Sequence, residues 1–222
     1  MKLRPDVLYI THPHADHLDD VETALDKDFR PLGIYYQEYD WEDVKKREKK
    51  ELAYKVDKFK ELIDVVPRTL KCWRYTPAVS KKQFGDTTYV NNSSLFVIYT
   101  WRDFKISITG DLESDGMQGT LDTKEFCTDA KGTDILIPPH HGHTNGFPTD
   151  WVSKVGKPHV SIISVQERDQ HVDGRYSKPD FARGVTFGGQ TRYRLTTRSD
   201  GSIVVEMSYG SDGRAKWSFQ SF

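Results

Sequence analysis

Long apolar runs and an excess of charge of one sign are both missing from this chain of 222 residues. No stretch approaches the roughly 18 consecutive apolar residues that a membrane-spanning helix needs, so we expect no membrane association. The 32 lysine and arginine residues are balanced by 33 aspartate and glutamate residues, which leaves a net charge of −1. Strong non-specific binding to nucleic acid depends on many unopposed basic side chains, so the composition argues against it but leaves room for a local basic patch.

Cysteine is scarce as well. Cys72 and Cys127 are the only two in the sequence and form no Cys-x-x-Cys motif, so we expect no disulfide framework and a cytoplasmic location. The first residues lack the apolar segment of a secretory signal peptide. The length fits one folded domain over residues 1–222.

A charged helical insert is predicted at about residues 26–75. It follows a short apolar strand at 7–10 and a helical segment at 18–25. Its most regular part, residues 40–64, is rich in lysine and glutamate, and its apolar residues form only a thin stripe. Two interpretations stay open, a solvated surface helix and a lid or docking helix over the active site.

The remainder of the sequence has the alternating, β-branched pattern of strands. Strands are predicted at 95–100, 105–109, 135–137, 161–165, 193–195 and 202–207. The first two are predicted to form a hairpin that turns at 101–104, and the last two to form a terminal hairpin.

Three histidines and an aspartate stand within six residues directly after the first strand, in the motif His12-x-His14-x-Asp16-His17. Such a set would be costly to bury without partners, so it is not expected in a core. Imidazole nitrogen and carboxylate oxygen are ligands that Zn, Mn and Fe share. We expect His12 and His14 to point one way from the loop, and Asp16 and His17 to point towards a second metal site close by.

Two later strands are followed by further candidate ligands. Gly110-Asp111 ends the strand at 105–109, and a carboxylate there could bridge two metal ions. His140-His141-Gly142-His143 comes shortly after the strand at 135–137. A second histidine-rich loop is what a two-metal site needs to complete its coordination.

These motifs resemble the metallo-β-lactamase superfamily, whose signature is Thr-His-x-His-x-Asp-His followed by a Gly-Asp and a later His. The resemblance is closest to the hydrolase domain of ComEC-like competence proteins and their soluble relatives. It is carried by residues 91–97, 108–113, 139–143 and 196–203. It implies an α/β fold of the αββα sandwich type and a hydrolase that uses two divalent metal ions, Zn or Mn.

The resemblance also implies roles for the matching residues. The implied metal ligands are His12, His14, Asp16, His17, Asp111 and His140, with His141 as the alternative late ligand or a supporting partner. Asp16 would in addition orient the attacking water. His143 or His171 would protonate the leaving group or bind an anionic substrate.

Two features depart from the family pattern. No histidine lies between His17 and His140, where the superfamily usually has a further ligand. The ComEC-like branch has an Asn/Ser segment there, and we take Asn92 and Ser93 as candidate substrate-binding residues. Only eleven residues precede His12, so the usual N-terminal strands are expected to be lacking, and a protein partner, a second copy or a preceding segment is expected to cover the exposed sheet.

The leading functional hypothesis is hydrolysis of a phosphodiester, with nucleic acid as the first substrate considered, because two-metal sites suit phosphoryl chemistry. Residues 168–198 interleave arginine with aromatic residues, a pattern that suits single-stranded nucleic acid but is also typical of ordinary surface and core. A small ester, lactone or thioester is the alternative substrate. A binding or scaffold subunit with little catalysis is the third hypothesis, which the intact ligand pattern disfavours.

Overall fold

A computed structural model of the protein describes residues 5–26, 28–66, 75–165, 171–211, 213 and 215–221. Its helices and strands form a mixed α/β structure, which confirms the predicted class at that level. The chain divides into two compact units, Met1–Leu95 and Phe96–Phe222. The prediction of one domain over 1–222 stays a prediction, and Cys72 lies outside the described residues.

Two parallel strands and several short helices make up the described part of the first unit. The strands are β1 (Val7–Tyr9) and β2 (Gly33–Tyr35), with Leu8 opposite Ile34. The helices are α1 (Val21–Leu25), α2 (Trp41–Arg47), α3 (Tyr54–Val65), α4 (Pro77–Phe84) and α5 (Tyr89–Asn92). Because β2 lies within residues 26–75, the predicted insert is not purely helical.

The charged stretch at 40–64 forms two helices rather than one. The carboxylate of Asp40 caps the start of α2 by accepting a hydrogen bond from the Asp43 N–H, and the helix ends where Glu48 adopts an extended backbone. The apolar stripe is buried in the core of the first unit and consists of Val44, Val56, Phe59 and Leu62. These helices are therefore part of the packed structure and are not merely a solvated surface; the lid interpretation stays a prediction.

The α-helices are short. Among the described residues α3 is the longest, with 12 residues. No helix in the described ranges combines the length and the apolar character that crossing a membrane would require.

A five-stranded sheet lies at the centre of the second unit. Its strands are β3 (Val97–Trp101), β4 (Phe104–Ile108), β5 (Ile135–Ile137), β6 (Val160–Ile163) and β9 (Arg194–Thr196), in that spatial order. The predicted hairpin is confirmed: β3 and β4 are antiparallel, and Arg102 in their tight turn has a left-handed backbone. The other neighbouring pairs are parallel.

Separate cores cover the two faces of this sheet, because side chains alternate along each strand. Additional elements are α6 (Ser114–Leu121), α7 (Lys124–Ala130), α8 (Trp151–Lys154), β7 (Val185–Phe187), β8 (Gln190–Arg192), α9 (Thr197–Asp200), β10 (Ile203–Tyr209) and β11 (Ala215–Ser221). Leu136 and Ile163 pack with residues of α6, α7 and α8 on one face. Ile135, Val160 and Leu195 pack with residues of β7, β10 and β11 on the other.

The predicted terminal hairpin is wrong. Residues 194–196 form β9, which pairs in parallel with β6 rather than with the strand that follows it. The actual hairpin is β10–β11, in which Met207 lies opposite Trp217. Alternation correctly indicated strands at both places, but alternation specifies which face is buried and does not specify the partner strand.

Polar residues meet at one edge of the central sheet. The carboxyl ends of parallel strands lie at the same edge, and β4, β5 and β6 run parallel. Asp111 follows β4, the loop at 140–143 follows β5, and Ser164 directly follows β6. Ligand-type side chains that are distant in sequence are therefore neighbours within the second unit.

Phe59 tests the assignment of α3 to the core. It is fully buried, and its ring centroid lies 5.6 Å from that of Tyr36 and 5.8 Å from that of Trp41. Phe59→Ala leaves a cavity there, so the free energy of unfolding should fall by about 3–5 kcal/mol, as measured by chemical denaturation. Tyr54→Ala, an exposed position on the same helix, is the control and should change it by less than about 0.5 kcal/mol. An equal decrease in the free energy of unfolding in the two variants would contradict this packing.

Candidate metal centre

In the first unit the histidine-rich loop follows β1 directly. The N–H of Ile10 donates to the carbonyl of Tyr35, so the sheet pairing continues almost to the motif. The loop then closes in a 3₁₀ turn at Ala15–His17, where the N–H of His17 donates to the carbonyl of His14 at 2.9 Å. This turn reverses the chain and keeps four ligand-type side chains close to one another.

A single hydroxyl orients two of these imidazoles. Thr11 Oγ1 lies 3.2 Å from Nδ1 of His12 and 3.4 Å from Nδ1 of His17, and a hydroxyl oxygen has two lone pairs, so it can accept a hydrogen bond from each ring. The rings of His12 and His17 are 4.1 Å apart, and the His14 ring lies edge-on to His12 at 4.8 Å. With Nδ1 turned to the threonine, Nε2 is the nitrogen that each of the two rings presents on its other side.

Asp16 and His17 form the first carboxylate–imidazole pair. Asp16 Oδ2 lies 3.8 Å from His17 Nε2. Two donors that each lie about 2.0–2.1 Å from a tetrahedral ion are separated by about 3.4 Å, so this spacing is close to that of two ligands of one ion. The distance is too long for a good hydrogen bond between the two groups.

Residues of the charged helical stretch brace the loop. Glu48 Oε1 accepts a hydrogen bond of 3.2 Å from the Ala15 N–H, and Lys55 Nζ lies 3.4 Å from the Ala15 carbonyl and pairs with Asp19. Sequence reasoning missed Glu48 and Lys55. They stand in a run of charged residues that looks like solvated helix surface, and no local signal marks the two that turn towards the motif.

In the second unit Asp111 and His141 form a second carboxylate–imidazole pair. Asp111 is only 5% exposed, and its Oδ2 lies 3.5 Å from His141 Nε2. His141 Nδ1 lies 3.1 Å from the carbonyl oxygen of Ser164. A carbonyl only accepts, so Nδ1 carries a proton, and in its neutral form the ring has its lone pair on Nε2, on the side of Asp111. This is the tautomer that a metal-ligating histidine needs.

His140 is the late ligand that the sequence analysis favoured. Its ring stacks on that of His143, with centroids 5.2 Å apart. Burial lowers the pKa of His140, and the nearby Asp111 carboxylate partly opposes this effect. Within the second unit, the geometry therefore favours His141, the alternative considered from the sequence, as the imidazole that acts together with Asp111.

The backbone of this loop is strained. His140 and His141 have φ values of 49° and 50°, in the left-handed region that non-glycine residues seldom adopt. The loop is held by hydrogen bonds from the His140 N–H to the Gly110 carbonyl at 3.1 Å and from the Asp173 N–H to the Gly142 carbonyl at 2.8 Å. Strain that is maintained in this way is characteristic of functional sites.

His143 and His171, the candidate proton donors or anion-binding residues, lie next to each other in the second unit. Their ring centroids are 5.6 Å apart, and His143 pairs with Val172 in an isolated antiparallel bridge. The neighbouring Asp173 is buried and binds Arg175 through two hydrogen bonds of 2.9 and 2.7 Å. That arginine holds the pKa of the Asp173 carboxyl below its ordinary value. Asp173 and Arg175 anchor the segment that carries His171, and the sequence analysis did not identify them.

The candidate substrate-binding residues Asn92 and Ser93 are buried in the first unit. The Ser93 hydroxyl lies 2.9 Å from the Tyr39 hydroxyl and donates to the Val90 carbonyl at 3.0 Å. These contacts give Ser93 a packing role, and substrate binding by this pair stays a prediction.

The arginine and aromatic residues of 168–198 do not form a stacking surface in the described part of the second unit. Tyr176 and Phe181 are buried in its core, and Arg192 is paired with Asp200. Arg168 lies outside the described residues. Ordinary core packing and ion pairing therefore account for Tyr176, Phe181 and Arg192, and binding of single-stranded nucleic acid by this segment stays a prediction.

Comparisons with known proteins assign no family. No protein-family model matches the sequence, and a search of the curated proteins gave no match either. The centre is therefore interpreted from its own residues.

Gly146 tests whether the loop at 139–141 depends on close packing. A Cβ atom at Gly146 would lie 2.9 Å from both the Pro139 carbonyl oxygen and His140 Cβ. Gly146→Ala therefore has to shift the loop, and we expect it to cost about 1–3 kcal/mol of unfolding free energy in chemical denaturation. Gly174→Ala is the matched control, because nothing lies within 4 Å of a Cβ there. A Gly146 variant as stable as the Gly174 variant would show that the packing is looser than described.

Proposed function

We propose that the protein is a metal-dependent hydrolase with the αββα fold of the metallo-β-lactamase superfamily, closest to the ComEC-like branch, and that it hydrolyses phosphodiesters. One observation carries the proposal. The Ser164 carbonyl fixes the His141 tautomer, and the remaining nitrogen faces a nearly buried Asp111 carboxylate at metal-ligand spacing.

The ligand assignment follows the order of the motifs along the sequence, as the family resemblance implies. The proposed ligands are His12, His14, Asp16, His17, Asp111 and His141, with His140 as the alternative to His141. Two divalent ions bound there, Zn or Mn, would supply an activated water and would stabilise charge on the attacked group. The donor set fits these ions, because it consists of imidazole nitrogens and carboxylate oxygens.

The remaining steps belong to side chains of the chain itself. Asp16, which is exposed beside His17, would orient the attacking water. His143, next to His171, would donate a proton to the leaving oxygen, and His171 would hold an oxygen of the substrate. The Asp173–Arg175 ion pair would keep His171 in place.

A second candidate is the hydrolysis of a small carboxylic ester, lactone or thioester. It is favoured by a cleft in the first unit that begins at Asp16 and His17 and is lined mainly by apolar residues. The substrate bond is uncharged in this case, so the carboxylates around the cleft would not repel it.

Metal binding is the first test. The purified protein, equilibrated with Zn or Mn and analysed by mass spectrometry of the metal, should hold up to two ions per chain. Asp111→Ala and His141→Ala should each lower the affinity by at least about 100-fold, because even the partners of metal ligands contribute 10–100-fold. His140→Ala should have a smaller effect.

His159→Ala is the control for this test. His159 also pairs with a carboxylate in the second unit, Asp134 at 3.1 Å, but it packs on Trp217 and is not a proposed ligand. His159→Ala should therefore leave the affinity for metal unchanged. A correctly folded wild-type protein that binds no metal would refute the hydrolase and favour the scaffold hypothesis.

Hydrolysis is the second test. With Mn or Zn present the protein should cleave bis(p-nitrophenyl) phosphate, a chelator should abolish the reaction, and Asp111→Ala should lower kcat/KM by at least about 100-fold. Parallel assays with single-stranded DNA, RNA and p-nitrophenyl acetate identify the substrate class. Cleavage of the acetate alone would reject the phosphodiester and leave the second candidate.

A further inference from the structure

A cleft of about 600 Å³ lies within the first unit, between β1 and the beginning of α1. It is lined by Pro5, Leu8, Tyr9, Ile10, Asp16, His17, Leu18, Asp19, Asp20, Val21, Thr23, Ala24 and Phe29. Its volume falls in the range of about 300–1,000 Å³ that is usual for small-molecule sites. Two of the proposed metal-binding side chains, Asp16 and His17, belong to its wall.

The walls are chiefly apolar. Leu18 and Val21 are buried core residues that line the cleft, whereas Tyr9 and Phe29, which also line it, are 47% and 38% exposed. An exposed aromatic in the lining of an apolar cleft offers contact area to a ligand at little cost in conformational entropy. The Tyr9 ring is also held in place, because it stacks on Tyr35 with centroids 4.6 Å apart.

The charged groups of the cleft are all acidic, apart from the histidine. Asp16, Asp19 and Asp20 line it, and no lysine or arginine belongs to its lining among the residues that the structure describes. Lys55 pairs with Asp19 from outside this set. The local field therefore opposes a negatively charged ligand, and it most strongly opposes the repeated phosphates of a nucleic-acid strand.

We propose that this cleft binds the organic group attached to the bond that is hydrolysed, and that this group is compact, largely apolar and either uncharged or cationic. The inference rests on the proposed hydrolase and defines its substrate class. The substrate would be a small phosphodiester with an apolar group seated beside Asp16 and His17, rather than a nucleic-acid chain. Tyr9 and Phe29 would contact the group.

Two fluorescent probes that differ by one charge test the cleft without requiring catalysis. N-phenyl-1-naphthylamine is neutral, and 8-anilinonaphthalene-1-sulfonate has the same ring skeleton with an added sulfonate. In fluorescence titrations of the whole protein, we expect the neutral probe to bind at least about tenfold more tightly, because the cleft is apolar with acidic groups. Equal or tighter binding of the sulfonate would overturn the charge argument.

Neighbouring positions on α1 provide a matched pair of variants. Thr23 lines the cleft, whereas Glu22, which is also exposed, does not. Thr23→Phe should fill the space and weaken binding of the neutral probe by at least about tenfold, and Glu22→Phe should leave it within about twofold. If both variants bind the neutral probe as the wild type does, the cleft is not its site and the proposal is wrong.

A third variant separates charge from shape. Asp20→Asn removes one carboxylate of the cleft and keeps the side-chain size, and Asn is as good a residue as Asp at this N-cap position of α1. We expect it to reduce the difference in affinity between the two probes several-fold, mainly by tighter binding of the sulfonate. No change in that difference would contradict the role of Asp20.

Failure of this inference can be told apart from failure of the proposed function. Probe binding that follows these variants, in a protein that binds no metal, would retain the cleft and reject the hydrolase. Metal binding with hydrolysis of single-stranded DNA, unaffected by Thr23→Phe, would retain the hydrolase and reject the cleft as its substrate pocket. If the protein is a hydrolase and this cleft is its substrate pocket, KM for bis(p-nitrophenyl) phosphate should rise in Thr23→Phe and stay unchanged in Glu22→Phe.

Discussion

The proposed metal centre depends on hydrogen bonds that fix imidazole rings through Nδ1. Thr11 does this for His12 and His17, and the Ser164 carbonyl does it for His141. An imidazole that is free to rotate is a poor ligand, because ordering it on binding costs conformational entropy. A ring that is fixed beforehand presents its second nitrogen in one direction, and in both units that nitrogen lies near a carboxylate.

The two units reach this arrangement by different structural means. In the first, a 3₁₀ turn after a parallel strand gathers ligands that are already adjacent in sequence, and Glu48 and Lys55 of the charged helical stretch hold the turn. In the second, the parallel sheet gathers ligands that are distant in sequence, since Asp111 and His141 follow neighbouring strands. The ligands of the first arrangement are therefore neighbours in the sequence, whereas those of the second are brought together by strand pairing.

This difference explains how much could be predicted from the sequence. Local patterns in the sequence predict the motif at 12–17, the strands β4 and β5, and the ligand type of Asp111. The preference for His141 over His140 could not be predicted from the sequence. It depends on the left-handed backbone and on the carbonyl of Ser164, which directly follows β6. The supporting roles of Glu48 and Arg175 were equally hidden, because a charged residue looks the same in sequence whether it faces solvent or a buried partner.

The left-handed backbone at positions 140 and 141 limits which side chains evolution can place there. Each costs an ordinary L-residue roughly 1–2 kcal/mol, while Gly, Asn and Asp, and to a lesser degree His, tolerate it. Glycine offers no side chain for coordination, and the remaining three all carry donor atoms. Substitutions that keep both this backbone and metal coordination at these two positions are thus limited to Asn, Asp and His. A β-branched residue there in a relative would indicate that the loop has lost this geometry, and it would not be a neutral change.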